Sequence, residues 1–227
     1  MVQIPDESII QTFLDMTEAR ELSPGSENTE YKIIKSQSLR DYYFEDGFNM
    51  MQLDIALADW GVASWTNNHL TENIQPVLLR APEVLLQALW GPEVDIWNLG
   101  ALVPELIYGQ CMFNGADLGK YELKSHLEEM NALLGPFPRG LIERAGLVEA
   151  KEWFDDDGSV RDSRLSKVVP LEVRFSDLPE EESGKFLEFV TAMLDLDPSQ
   201  RKSAKELLGY EWIKIDYNEE EGEEKSS

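Results

Sequence analysis

The sequence predicts a mainly α-helical fold with a short β segment just ahead of Asp59-Trp60-Gly61. Three observations lead there. Stretches near 93–109, 122–134 and 183–197 carry apolar residues at helical spacing. Strand-like alternation is confined to "QLDIALAD", where Leu53, Ile55 and Leu57 alternate with Asp54, Ala56 and Ala58. The 227 residues, 42% of them hydrophobic, are enough to bury one substantial core.

Taken in order, Asp6 ahead of Ile9, Ile10, Phe13 and Met16 predicts an N-capped amphipathic helix over roughly residues 7–20. "ELSPGSENTE" breaks it, because Pro24 and Gly25 stand among small polar residues. The alternating segment ends at Asp59, and residues 66–80 show no period. Pro82 can open a short helix in "RAPEVLLQALW", since a helix's first turn does not need the missing N–H.

"EVDIWNLGALVPELIYG", 93–109, is apolar on nearly all faces and is expected to be buried in the middle of the domain. Pro104 should kink it, with Gly100 giving room for the ring. In "YELKSHLEEMNALLG", Leu123, Leu127, Met130 and Leu134 share one face of a surface helix that stops at Gly135. "SGKFLEFVTAMLDLDP" is a further amphipathic helix ended by Asp197-Pro198, and Ser203-Ala204-Lys205-Glu206 is a capping-box pattern.

Forty-four acids against twenty bases give a formal charge of -24, which would repel phosphate backbones and speaks against nucleic-acid binding. No apolar run reaches the roughly 20 residues that span a bilayer, and the N-terminus lacks signal-peptide features, so a cytoplasmic or nuclear protein is expected, with no membrane partner. Cys111 is the only cysteine and cannot form an intramolecular disulfide. It is expected to be buried and inert beside the end of the 93–109 helix. His69 and His126 lack spaced ligand partners and read as surface residues, and with two histidines and one cysteine a zinc site is improbable. Trp65, Trp90, Trp97, Trp153 and Trp212 read as core or loop anchors. Asp155-Asp156-Asp157 reads as a solvated acidic turn ending at Gly158, and the end of the chain as a disordered acidic tail.

Four segments in one order change the picture: "LADWG" at 57–61, "RAPEV" at 80–84, "DIWNLG" at 95–100 and "LDLDPSQRKSAKELLGYEWI" at 194–213. Together they resemble the helical C-terminal lobe of a eukaryotic protein kinase. "HLTENIQPVLLRAPEVLL", "HLEEMNALLGPFPRGLI" and "WFDDDG" narrow the resemblance to the serine/threonine kinases of Arg/Ser-rich splicing factors, in their fungal branch. The resemblance divides the chain into an insert-like segment 1–49, a partial kinase domain 50–213 and the tail 214–227.

Several roles follow from the resemblance. Asp59 corresponds to the Asp of the Asp-Phe-Gly motif, a ligand of the magnesium that bridges the ATP phosphates. Magnesium keeps several waters, so one carboxylate is chemically sufficient. Trp60 stands for the motif's Phe and should be buried, and Gly61 permits the sharp turn. Residues 59–83 would be the activation segment that presents substrate, with Arg80 ahead of Ala81-Pro82-Glu83 at its foot. Glu83 should pair with Arg201 as a buried anchor. Asp95 would bond to the catalytic-loop backbone at the start of the helix that also carries Trp97 and Gly100. Pro76 stands where many such kinases keep a Thr. An Arg-rich docking peptide would meet carboxylates on the helix 122–134, but Ser125 and Ala132 occupy the positions expected to be acidic, with Glu128 and Glu129 nearby.

The 227 residues contain no Gly-rich loop, no Val-Ala-Ile-Lys strand and no His-Arg-Asp loop, and the chain is expected to begin just after the last. Phosphoryl transfer depends on positioning and electrostatics, so residues 1–227 alone are expected to be inactive, the kinase N-lobe being a missing partner. The alternatives are a non-catalytic, pseudokinase-like module that binds basic peptides, and an incomplete gene model.

Overall fold

A computed structural model describes residues 8, 10–12, 56–117, 119–165 and 168–214. The chain divides into two units, Met1–Gly61 and Val62–Ser227. In the first, residues 8 and 10–12 are helical, and residues 56–59 belong to no regular element. The rest of the helix expected over 7–20, the remainder of segment 1–49 and residues 52–55 of the expected strand lie outside the described residues, as does the tail beyond residue 214.

The second unit is built from helices. In chain order they are α1 (Pro82–Leu85), α2 (Glu93–Tyr108), α3 (Leu123–Leu134), α4 (Arg139–Glu143), α5 (Leu171–Arg174), α6 (Glu180–Met193) and α7 (Ala204–Leu207). Single-turn or longer 3-10 segments occur at Val77–Leu79, Val148–Trp153 and Glu211–Ile213. Among the described residues, the sheet is one antiparallel hairpin, Ala116–Asp117 against Lys120–Tyr121, just ahead of α3. The fold is mainly helical, as the periodicity predicts.

The core forms where α2 crosses α6. Trp97 and Ala101 face Phe186, Val190 and Met193, all of them fully removed from solvent. Gly100 sets the approach: a Cβ there would lie 2.7 Å from Met193 Cβ and 3.1 Å from the Leu194 side chain. The missing Cβ at Gly100 thus gives room for α6. Pro104 itself is buried within α2, which runs through it to Tyr108 and is closed by Gly109 in the left-handed conformation.

One expectation about α2 is corrected. The helix buries only one side; Leu99, Leu106 and Ile107 are exposed, Leu106 by 72%. These residues fall on one stripe at spacings of seven and eight, so an all-round apolar sequence conceals a core face and a second face that no described side chain covers.

Local signals elsewhere act as their chemistry dictates. Pro82 occupies the first turn of α1. Ser203 Oγ accepts from Glu206 N while the Ser203 amide and hydroxyl donate to the Glu206 carboxylate, a complete capping box on α7. The acidic turn folds on itself, with Gly158 N donating to Asp155 O. Gly158 has φ +88°, and a Cβ would fall 2.0 Å from the Phe137 carbonyl oxygen, so no other residue fits there without backbone movement.

Candidate functional site

The segment that runs from Asp59 to Glu83 has little regular structure, so its shape depends on individual contacts. Asp59 sits at φ +67°, a left-handed conformation that Asp tolerates better than most residues. The 3-10 turn Trp60–Val62 follows immediately and contains no buried residue. Trp60 is 67% exposed, which corrects the expected burial: the turn carries the indole outward. Trp65, expected as an anchor, is likewise exposed.

Within the second unit, Gln75 acts as a clip. Its side-chain amide donates to the Val94 carbonyl at 2.7 Å, and its amide oxygen accepts from Ala81 N at 2.9 Å. Gln75 has φ +66° directly before Pro76, and its carbonyl accepts from an Arg80 guanidinium nitrogen at 3.0 Å. Arg80 Nε donates to the Ile74 carbonyl at 2.9 Å. Arg80 therefore staples the bend at 74–76 closed. Pro76, with no hydroxyl to offer, opens the Val77–Leu79 turn by accepting from Leu79 N.

Below the clip, Glu83 and Arg201 meet with both side chains fully buried. Arg201 donates to both Glu83 oxygens, at 2.8 and 3.1 Å, and also to the carbonyls of Glu93 and Asp195. Its guanidinium lies 5.1 Å from the Trp97 ring centroid, so the ion pair rests on the core aromatic of α2. The Asp95 carboxylate, in the first turn of α2, has no hydrogen-bond or ionic partner among the described residues, and partial desolvation raises it above the ordinary range.

Beside the foot of the segment lies a cavity of about 750 Å³, lined by Arg80, Val84, Leu85, Tyr121, Leu123 and Arg144 among others. Deep to Tyr121, His126 is completely buried, with Nδ1 3.3 Å from the Tyr121 hydroxyl. Burial first, and the Arg80 charge second, depress His126 to about 4. His126 is a core residue and not the surface residue its sequence context suggests; Cys111, in contrast, is exposed where burial was expected.

The carboxylates of α3 are turned to structural use. Glu128 is buried and its Oε2 accepts from Arg164 N at 3.2 Å, while Glu129 Oε2 accepts from Asn114 N and Gly115 N at 2.6 and 2.9 Å. Ser125, buried as well, donates to Glu122. The Glu128 and Glu129 acids near the expected docking positions thus hold loops in place.

Sequence reasoning missed the clip at Gln75 and a stack of His69 on Trp90, with ring centroids 3.7 Å apart and planes 11° from parallel. No periodicity links positions 19 or 21 residues apart when one of them lies in an irregular segment, so neither had a local signal.

The motifs now stand on a helical lobe in which the segment ending Ala81-Pro82-Glu83 is fastened to the α2 core. A family model described as the protein kinase domain matches residues 47–213. The chain belongs to the protein kinase family.

Relatives agree with this membership. A serine/threonine protein kinase of Aspergillus fumigatus is 34% identical over 92% of this chain and 51% of its own length. The serine/threonine-protein kinase SKY1 of Saccharomyces cerevisiae is 32% identical over 71% of this chain and 22% of that protein. SRSF protein kinase 3 of Homo sapiens is 30% identical over 73% of this chain and 30% of that protein. A crystal structure of a kinase domain superposes with a TM-score of 0.57 over 70% of this chain and 46% of the other, at 23% identity, and shows the same fold. The chain spans about half the length, or less, of the kinases it matches. Among the described residues, no helix is long and apolar enough to cross a membrane.

Proposed function

We propose that the chain is the substrate-holding helical half of a serine/threonine kinase of the SR-protein kinase type, whose activity is ATP-dependent phosphorylation of serine in Arg/Ser-rich proteins of the cytoplasm or nucleus. The observation that carries this reading is the fastening of residues 62–83. Glu83–Arg201 anchors the segment's foot in the core, and Gln75 and Arg80 set its last bend, as presentation of a peptide to a phosphoryl donor requires.

Magnesium suits the chain only through Asp59, a single hard-oxygen ligand on a left-handed turn, and no group of three or more His, Cys, Asp or Glu side chains gathers among the described residues. When bound, MgATP would supply the phosphoryl group. What these residues contribute is one metal carboxylate and a fixed peptide-presenting segment. The 227 residues offer no Gly-rich loop, ATP-positioning Lys or catalytic-loop Asp, so the chain by itself is expected to leave a peptide unphosphorylated. Incubation of residues 1–227 with MgATP and an Arg/Ser-repeat peptide tests this: turnover above the enzyme-free blank would overturn it.

A second reading, a non-catalytic module that captures basic peptides, draws on the formal charge of -24. It predicts binding of an Arg-rich peptide that weakens steeply with salt. The internal bonding of Glu128 and Glu129 moves such binding away from α3.

A further inference from the structure

We infer that His69 is a positioning residue, one whose stack on Trp90 holds the middle of the substrate-presenting segment against the lobe. The role rests on the reading of residues 59–83 as that segment. Among the described residues 62–73, only Ser64 and His69 are not exposed, while Val62, Trp65 and Leu70 point their apolar side chains into solvent. The hydrophobic residues of 62–73 therefore do not hold this stretch down, and it lies ahead of the Gln75 clip.

His69 reaches the lobe instead. Its ring lies flat on the Trp90 indole, and only 11% of its side chain is exposed. Its Nδ1 is 3.1 and 3.2 Å from the two Glu72 oxygens. An ionised carboxylate can only accept, so Nδ1 carries the proton and the Glu72 contact fixes the ring plane. His69 Nε2 and Trp90 Nε1 are both buried without a hydrogen-bond partner among the described residues, so this contact is made by ring faces in a water-poor setting. Leu70 N donating to Ser64 Oγ at 3.1 Å then closes the loop that leads into the stack. Trp90 lies just beyond α1 and just ahead of α2, both tied to the core by Glu83 and Arg201, so the stack joins the segment to the rigid part of the lobe.

Hydrogen exchange of the full chain, followed by mass spectrometry, tests the inference without needing turnover. His69→Ala should speed exchange in peptides covering 66–74 about tenfold, the effect of opening a local unit, while peptides of α3 and α6 and the thermal midpoint stay as in the parent. His69→Phe, which keeps a flat ring and loses the Glu72 contact, should restore exchange to within about twofold, and His69→Gln should not. Unchanged exchange in His69→Ala, or rescue by Gln and not by Phe, would overturn the role. Loosening of 66–74 as expected in a chain that proves unrelated to phosphoryl transfer would remove the kinase reading and leave the anchor standing.

Discussion

Arg201 grips both carboxylate oxygens of Glu83 across 118 positions of sequence, with neither side chain exposed to solvent. Burial of two charges is tolerated because Arg201 has further acceptors in the Glu93 and Asp195 carbonyls and the Trp97 ring beneath it. Loss of one partner strands the other. Glu83→Gln or Arg201→Met alone should each cost about 3 to 5 kcal/mol in urea unfolding, and the double replacement Glu83→Met/Arg201→Met should cost clearly less than the sum. Additive losses would show that the pair does not act as a unit.

Gly100 gives a packing prediction. Gly100→Ala gains helix propensity worth about 1 kcal/mol but drives a methyl group to 2.7 Å from Met193 Cβ. Overpacking of about 1 to 3 kcal/mol should win, because the contact is with side-chain roots that cannot swing away. A thermal midpoint below the parent's is the expected result. Gly100→Ala/Met193→Ala should recover none of the loss, since alanine keeps the Cβ that makes the 2.7 Å contact and Leu194 stays at 3.1 Å.

These two sites show what was legible beforehand. The order of "LADWG", "RAPEV", "DIWNLG" and "LDLDPSQR" carries the lobe, and Ser203–Glu206 carries its cap, because each is a local pattern with its own chemistry. What stayed hidden was decided by distant partners. His126 looks like any helical histidine until Phe113 and Tyr121 enclose it, and the apolar sequence of α2 does not say which side faces α6. Trp60 reads as buried because it stands for the kinase motif's Phe, and Trp65 as a core or loop anchor, yet both side chains are exposed with nothing described above them. Glu128 and Glu129 read as free acids because their partners, the amides of Arg164, Asn114 and Gly115, are backbone groups without a sequence signature.

His126 makes an acid-stability prediction with a definite sign. Its folded value, about 4, lies below the ordinary 6.5, so the native state holds the ring neutral. The associated stability is complete above pH 6.5 and is lost as pH falls through 4, where the unfolded chain binds a proton that the native chain refuses. Unfolding measured across that window should lose about 3 kcal/mol from this group. His126→Leu should flatten the slope between pH 6.5 and 4; an unchanged slope would place the titration elsewhere.

The capping box predicts a second, lower window. Hydrogen bonds from the Ser203 amide and hydroxyl, with Lys202 alongside, pull Glu206 down from 4.5 to about 2. A depressed carboxylate contributes stability above its unfolded value and loses it as pH falls from about 4.5 through 2. Ser203→Ala removes the hydroxyl bond but keeps the amide bond and Lys202, so Glu206, followed by carboxyl NMR, should titrate above the parent's value yet still below 4.5. A Glu206 resonance still titrating near 2 in that variant would show that the shift has another cause.

The most direct test of the account is phosphate transfer by a folded chimera in which a protein kinase small lobe and His-Arg-Asp loop precede residue 50 of this chain. With MgATP and an Arg/Ser-repeat peptide, the account predicts serine phosphorylation that falls at least about a hundredfold on Asp59→Asn, the size expected when a group that fixes phosphate charge is lost. Absence of phosphorylation by the folded chimera, or a rate indifferent to Asp59→Asn, would contradict it.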